Sequence, residues 1–199
     1  PIYSYTTPVS SSSFALDSST KMIAQKLPVG RSWNIGFCNI SLKKVGNPVA
    51  EVVVEIVEDS AGLPSNTVVT NGTSGALNTN AMPTSFSRKP FPFSSSPNIY
   101  WSGETGRQYW LRIRYSTVTT VDATNYVAVE IDTSSGFSNP CATYDGATWT
   151  VQSGKSLLFE VYNAAFNFLI GSDFSVIVVG YGNKATESIA ISPFVVLGN

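Results

Sequence analysis

The chain has 199 residues, 43% of them hydrophobic and 13% charged, with a formal net charge of −1, two cysteines and no histidine. That length suits one large β domain, and the charged fraction is about half the roughly 25% of an ordinary soluble domain, Ser, Thr and Asn standing in its place. No basic stripe offers a footprint for nucleic acid, no apolar run approaches the roughly 20 residues that span a bilayer, and the absence of histidine rules out a Ser-His-Asp triad, a Cys-His pair and an H-E-x-x-H site.

Residues 1–20 are rich in Ser and Thr and thinly apolar. They read as an extended arm or a loosely attached strand, without the charged and apolar regions of a signal peptide. Pro1 is what remains when an initiator Met is removed before a small residue; a cleaved signal is the alternative. From Trp33 onward, period-2 alternation dominates. Trp33, Ile35 and Phe37 are in one register and Ile40 and Leu42 in the other, so a bulge is expected near Cys38 and Asn39. Over 49–57, Ala50, Val52, Val54 and Ile56 share one face, while Glu51 and Glu55 point outward from the other. The stretch 86–93 carries Pro90 and Pro92 and should be an edge or irregular strand.

Over 109–115, Tyr109, Leu111, Ile113 and Tyr115 alternate with Trp110, Arg112 and Arg114. Arg112 and Arg114 form a local basic patch, as do the adjacent Lys43 and Lys44. Val127, Val129 and Ile131 repeat the alternation, as do Leu157, Phe159 and Val161. Corners are expected at Gly46-Asn47-Pro48, Ser60-Ala61-Gly62-Leu63-Pro64, Asn71-Gly72, Gly103-Glu104-Thr105-Gly106, Asp145-Gly146 and Ser153-Gly154. A final apolar block, with strand-like runs over 175–181 and 189–197, closes the sandwich or projects as a hairpin. The expected organisation is an arm over 1–23, a two-sheet antiparallel sandwich over 24–162 and extra C-terminal strands over 163–199.

The middle of the chain carries a familiar order of segments: AQKLP (24–28), ISLKKVGNP (40–48), VEIVEDSAGLPSNTVV (54–69), TSFSRKPFPFSSSP (84–97), RQYWLRIRY (107–115), TYDGATWT (143–150) and LLFEVY (157–162). It resembles a jelly-roll sandwich module of phage and viral structural proteins and of bacterial surface proteins. The resemblance covers about two thirds of the chain, and its motifs describe a fold more than an activity. At 125–132, where members are often aromatic-rich, this chain reads NYVAVEID. The arms around a jelly roll imply a protein that grips neighbouring subunits.

Glycoside hydrolysis needs only two carboxylates and no histidine. Glu51 and Glu55 would lie about 13 Å apart along a strand, beyond the roughly 5–9.5 Å of glycosidase pairs. Glu130 and Asp132, at about 7 Å, fall within that range but read as two exposed acids on one strand. Glu58 and Asp59 beside Asn66 are weak calcium candidates, since "EDSAGLPSN" serves a turn on backbone grounds alone. Cys38 and Cys141 read as buried thiols, with one bridge as the alternative, and no zinc site is expected. Of the aromatics Tyr100, Trp101, Trp110, Tyr126, Tyr144 and Trp149, those beside turns (Tyr100, Trp101 and Trp149) are the candidates to stack on sugar rings. Asn39-Ile40-Ser41 and Asn71-Gly72-Thr73 fit the glycosylation triplet, which matters only on a secretory route.

The expected function is that of a non-enzymatic virion structural protein, a capsid decoration, vertex or tail-associated jelly roll, located in the virion. It would need no cofactor and would act through contacts with capsid or tail subunits and with its own copies. The alternative is a carbohydrate-binding or adhesion module of a cell surface or tail fibre, with a glycan as partner.

Overall fold

The computed structural model describes residues 1–28, 32–100, 107–134 and 137–164. Among these residues fifteen strands run in chain order: β1 (Tyr3–Tyr5), β2 (Ser11–Leu16), β3 (Met22–Lys26), β4 (Trp33–Val45), β5 (Val49–Ser60), β6 (Leu63–Thr73), β7 (Leu77–Asn78), β8 (Ser87–Pro92), β9 (Asn98–Ile99), β10 (Tyr109–Thr120), β11 (Tyr126–Asp132), β12 (Cys141–Tyr144), β13 (Trp149–Gln152), β14 (Ser156–Leu157) and β15 (Phe159–Asn163). They form two antiparallel sheets packed face to face. One carries the order β1-β15-β4-β11-β14, with β2 on β11 and β8 and β9 on β4; the other runs β13-β12-β3-β10-β5-β6, with β7 on β5. The chain crosses between sheets from β2 to β3, β3 to β4, β4 to β5 and β10 to β11, the alternation expected of a jelly-roll sandwich. No helix among the described residues is long and apolar enough to cross a membrane.

Alternation explains the core. Val52, Val54 and Ile56 of β5, Tyr109, Leu111, Ile113 and Tyr115 of β10, Val127 and Val129 of β11 and Phe159 and Val161 of β15 all bury inward-facing side chains in one cluster. Burial of this apolar area is the main favourable term holding the sheets together. Gln25 lies in the same interior, and hydrogen bonding makes its burial tolerable. Its Nε2 donates to the Asn139 carbonyl at 2.9 Å, and its Oε1 accepts from the Leu157 N–H of the opposite sheet at 2.9 Å.

Tyr115 ties three strands. Its hydroxyl donates to the Leu16 carbonyl at 2.8 Å and accepts from the Val127 N–H at 2.9 Å, and burial pushes its phenol up to about 12. Tyr115→Phe is therefore expected to lower stability by about 1–3 kcal/mol, because it leaves a buried N–H and C=O unpaired. Urea unfolding of the two proteins measures this; a loss under about 0.5 kcal/mol would mean that water or rearrangement replaces the hydroxyl.

Several sequence expectations need correction. The phase slip in β4 sits at Gly36, where the β15 register jumps between Tyr162 and Asn163. Cys38 is consequently fully buried in the core and Phe37 points out, stacked on Tyr162 with ring centroids 4.3 Å apart. A Cβ on Gly36 would lie 2.9 Å from the Ala164 Cα, so the close approach of β15 requires glycine. Asn71-Gly72 is not a corner; Asn71, at φ 61°, lies within β6 at one of its irregularities. The reading of residues 1–20 as an arm or a strand needs no correction: β1 pairs with β15 and β2 with β11 over six residues.

Cys38 and Cys141 are free, buried thiols on opposite sheets, and burial raises both, Cys141 to about 11. The prolines of β8 fall on a strand whose only strand partner among the described residues is β4. The runs at 175–181 and 189–197 and the corner at 103–106 lie outside the described residues.

Candidate functional site

The outer face of the β13-to-β6 sheet is not bare. β6 departs from regular pairing with β5: Val57 faces Val68 while Asp59 faces Pro64, so four steps on one strand oppose two on the other. The extra residues, around Ser65-Asn66-Thr67, lean over the sheet. From the far edge, β13 approaches the same face and contacts β6. Beneath them Ala24, Val57, Trp110 and Ala142 form a second buried cluster, with Val68 and Trp149 packed on it.

Between the two approaching edges lies a groove of about 620 Å³. Its walls are Ser60 and Leu63 to Asn66 from the β5–β6 hairpin, and Tyr144, Ala147, Thr148 and Trp149 from the β12–β13 hairpin. Each hairpin is shaped by an aspartate. Asp145 accepts from the Ala147 and Thr148 N–H groups at 2.8 Å each, with Gly146 at φ 108°. The Asp59 Oδ1 accepts from the Gly62 N–H at 2.8 Å, where Ala61 and Gly62 both have positive φ. Tyr144 and Trp149 lie against each other with centroids 5.2 Å apart and planes tilted by 46°. Among the described residues, the walls present two aromatic rings, hydroxyls and an amide, and no carboxylate or amine. Such a surface can stack and hydrogen-bond.

Under the groove lies an ion cluster. Glu55, read from its strand phase as outward and exposed, is 2% exposed because β6 covers it. Arg112 grips its Oε2 through Nε at 2.9 Å and Nη2 at 2.5 Å; Arg114 reaches Oε1 through Nη2 at 2.6 Å and Oε2 through Nε at 2.9 Å. Burial alone would raise the Glu55 carboxyl, but the two guanidiniums outweigh it and hold the group below its ordinary range. The Arg112 Nη1 continues to the Ser65 carbonyl at 3.1 Å, fastening the groove wall to the sheet. Arg112 and Arg114 are thus both tied to Glu55, Arg112 buried and Arg114 one-third exposed.

The sequence-derived candidates scatter. Trp149 lies in the groove, with Tyr144 beside it. Tyr100 is 44% exposed but lines a separate hollow of about 290 Å³ with Glu58, Asn71, Arg107 and Tyr109. Trp101 lies outside the described residues. Glu58 pairs with Arg107 at 3.7 Å. Asp59 is occupied by donors: besides Gly62, the Trp110 Nε1 donates to its Oδ2 at 2.8 Å and the Lys26 ammonium stands at 3.4 Å. Burial would raise the Asp59 carboxyl, yet these partners, Trp110 foremost, draw it down. Among the described residues no three His, Cys, Asp or Glu side chains are grouped to hold a metal ion.

Glu130 and Asp132 are not two exposed acids. Glu130 accepts from Ser11 Oγ at 2.8 Å and from Ser41. Asp132 is fully buried and accepts from the Tyr5 hydroxyl, from the Ser10 N–H at 2.8 Å and from Ser134 Oγ at 2.6 Å. Burial opposes its ionisation, but the donors, led by Ser134, keep it well below the ordinary carboxylate range. Both acids latch the N-terminal strands to β11. Of the glycosylation triplets, the first is built into β4, where the Asn39 amide donates to Glu160 and Ser41 is buried.

Comparison with protein-family models, with curated proteins and with solved structures returns no match.

Proposed function

We propose that the chain is a non-enzymatic binding module that holds a glycan in the groove between the β5–β6 and β12–β13 hairpins. The observation that carries this reading is the Tyr144–Trp149 pair on a groove otherwise walled by Ser, Thr, Asn, Ala, Leu and Pro. Sugar rings offer apolar C–H faces to aromatic rings and hydroxyls to neighbouring amides and hydroxyls, and the walls provide both. Tyr144 and Trp149 face each other across the paired β12–β13 hairpin, whose turn is closed by Asp145, which limits the order to be gained on binding.

The test is a glycan array followed by calorimetry on any hit. Trp149→Ala is expected to weaken binding roughly tenfold or more, and Tyr144→Ala by a smaller factor. Tyr100→Ala, in the separate hollow, should leave it unchanged. Silence across a broad array, or a hit insensitive to Trp149, overturns the reading.

The carrier of such a module is proposed to be a virus particle, as a decoration, vertex or tail-associated subunit, with a bacterial surface as the alternative. The low charge of the chain supports this: a surface built from Ser, Thr and Asn packs against neighbouring subunits with little charge to desolvate. Co-sedimentation with particles and light scattering of the purified chain test it; a strict monomer that joins no particle component speaks against it.

A further inference from the structure

We infer that the outer edge of β2 pairs antiparallel with β2 of a second copy, joining two sheets across a two-fold axis. This joint rests on the particle reading for its setting and names the surface through which copies meet; the groove plays no part in it.

Hydrogen-bond parity shows which backbone groups are available. β2 pairs with β11 over Ser11–Leu16 without a register shift, and among the described residues β11 is its only strand partner. At one end the Thr133 N–H donates to the Ser10 carbonyl at 2.9 Å. At the other the Tyr115 hydroxyl bridges the Leu16 carbonyl and the Val127 N–H. The even-numbered residues therefore turn their backbone groups toward β11, and Ser11, Ser13 and Ala15 turn theirs away. Alternating donors and acceptors of this kind are matched by another extended strand.

The other long edges are blunted in ways that β2 is not. β8 carries Arg88, Lys89, Pro90 and Pro92, β6 is broken by register shifts, and β13 is approached by β6. β2 reads SSSFAL, without charge, proline or bulge, and Ser11, Ser12 and Ser13 are exposed. The first charge beyond it, Asp17, is paired with Lys21 at 2.6 Å.

A second copy is the occupant that fits. Turned about a two-fold axis at Ser13, the edge is complementary to itself: Ser13 faces Ser13, and Ser11 of each copy faces Ala15 of the other. All three pairs are of the hydrogen-bonded kind, so the joint gains about six backbone bonds. Leu16 and Phe14 pack toward the core, which leaves the small side chains of Ser11, Ser13 and Ala15 on the outer face, where they admit an approaching strand. Val9, 81% exposed just before β2, adds an apolar side chain at each end of the joint. One strand pair buries less than the roughly 1,200–2,000 Å² of a stable interface, so free chains exchange between monomer and dimer, and the joint fills where copies are concentrated.

Sedimentation equilibrium of the intact chain from about 10 μM to about 1 mM is expected to show a monomer–dimer equilibrium. Ser13→Pro removes an N–H that β11 does not use, so it should weaken association about tenfold or more while urea unfolding stays close to that of the unaltered chain. Ser13→Cys should cross-link to a dimer under a mild oxidant, because hydrogen-bonded pairs stand about 5.5 Å apart at Cα, within disulfide reach. Ala15→Cys should not, since its own copy lies at least about 13 Å away along the strands, and the buried Cys38 and Cys141 stay silent. The cross-link is read on a chain that keeps its backbone donors, so a poorly folded Ser13→Pro protein does not decide the matter. A strict monomer at about 1 mM, a folded Ser13→Pro protein that dimerises unchanged, or equal cross-linking through Ala15→Cys overturns the inference. If such a chain still joins particles, the particle reading survives without this joint; if the chain dimerises through Ser13 and joins no particle, the joint stands and the particle reading falls.

Discussion

Replacing Glu55 by Ala is expected to lower stability by about 3–5 kcal/mol, because it strands two guanidiniums, one of them 6% exposed, without a counter-charge. Urea unfolding at pH 7 measures the loss. Glu55→Gln should cost nearly as much, since it keeps the shape and removes the charge. Replacing Glu55, Arg112 and Arg114 together by apolar residues should recover most of the loss, because paired buried charges often contribute little net stability over a well-packed apolar substitute. The triple variant would still lose the Arg112 bond to the Ser65 carbonyl, so its groove wall should loosen even where its stability returns. A loss below about 1 kcal/mol for Glu55→Ala would show the site to be wetter than its burial implies.

The same residue sets an acid limb. The Glu55 carboxyl lies lower in the folded protein than its ordinary 4.5. Its contribution is fully present above that unfolded value and is lost as pH falls below it, through the folded pKa. Stability of the unaltered chain should drop over that acid range, and the Glu55→Gln protein should show a shallower drop.

How much of this could be read from the sequence follows from what strand periodicity encodes. Alternation assigns each side chain to a face, and on β10 it separates Tyr109, Leu111, Ile113 and Tyr115 from Trp110, Arg112 and Arg114 correctly. It does not say whether the second face is covered. Glu55 and Arg112 look like solvent-facing charges until the β6 excursion is known, and that excursion depends on a register between β5 and β6 that no local pattern specifies. The slip in β4 was visible as a change of phase, but its position was not. Either Cys38 or a flanking residue could take the extra step, and the close approach of β15 to Gly36 decides it.

The candidate site divides in the same way. Trp149 was legible because an aromatic beside an Asp-Gly turn has little chain to bury it. Its partner wall was not, because "EDSAGLPSN" is adequately explained as a turn; only the approach of β6 to β13 makes that turn one side of a groove. Asp59 illustrates the point further: its loop composition suggested oxygen ligands for calcium, whereas in the fold its oxygens accept from Trp110 and Gly62 and face Lys26.

Trp110 is where fold and site meet, and its substitutions should separate the two. The ring is fully buried beneath Trp149 and Val68, and its N–H donates to Asp59. Trp110→Ala is expected to cost about 3–5 kcal/mol, the range for emptying a large aromatic site. Trp110→Phe keeps most of the packing and removes the indole donor, so it should cost about 1–2 kcal/mol. The two losses act on different parts of the groove. Without the ring, Trp149 has no floor and should gain solvent exposure, seen as a red shift of its fluorescence. Without the N–H alone, Trp149 should stay in place while Asp59 keeps only Lys26 and Gly62, loosening the β5–β6 hairpin. Amide exchange across Ala61 to Asn66 would then speed up with little change at Thr148 and Trp149. If Trp110→Phe instead loosens both hairpins equally, the aromatic stack and the Asp59 tie are one cooperative unit, and the groove opens and closes as a whole.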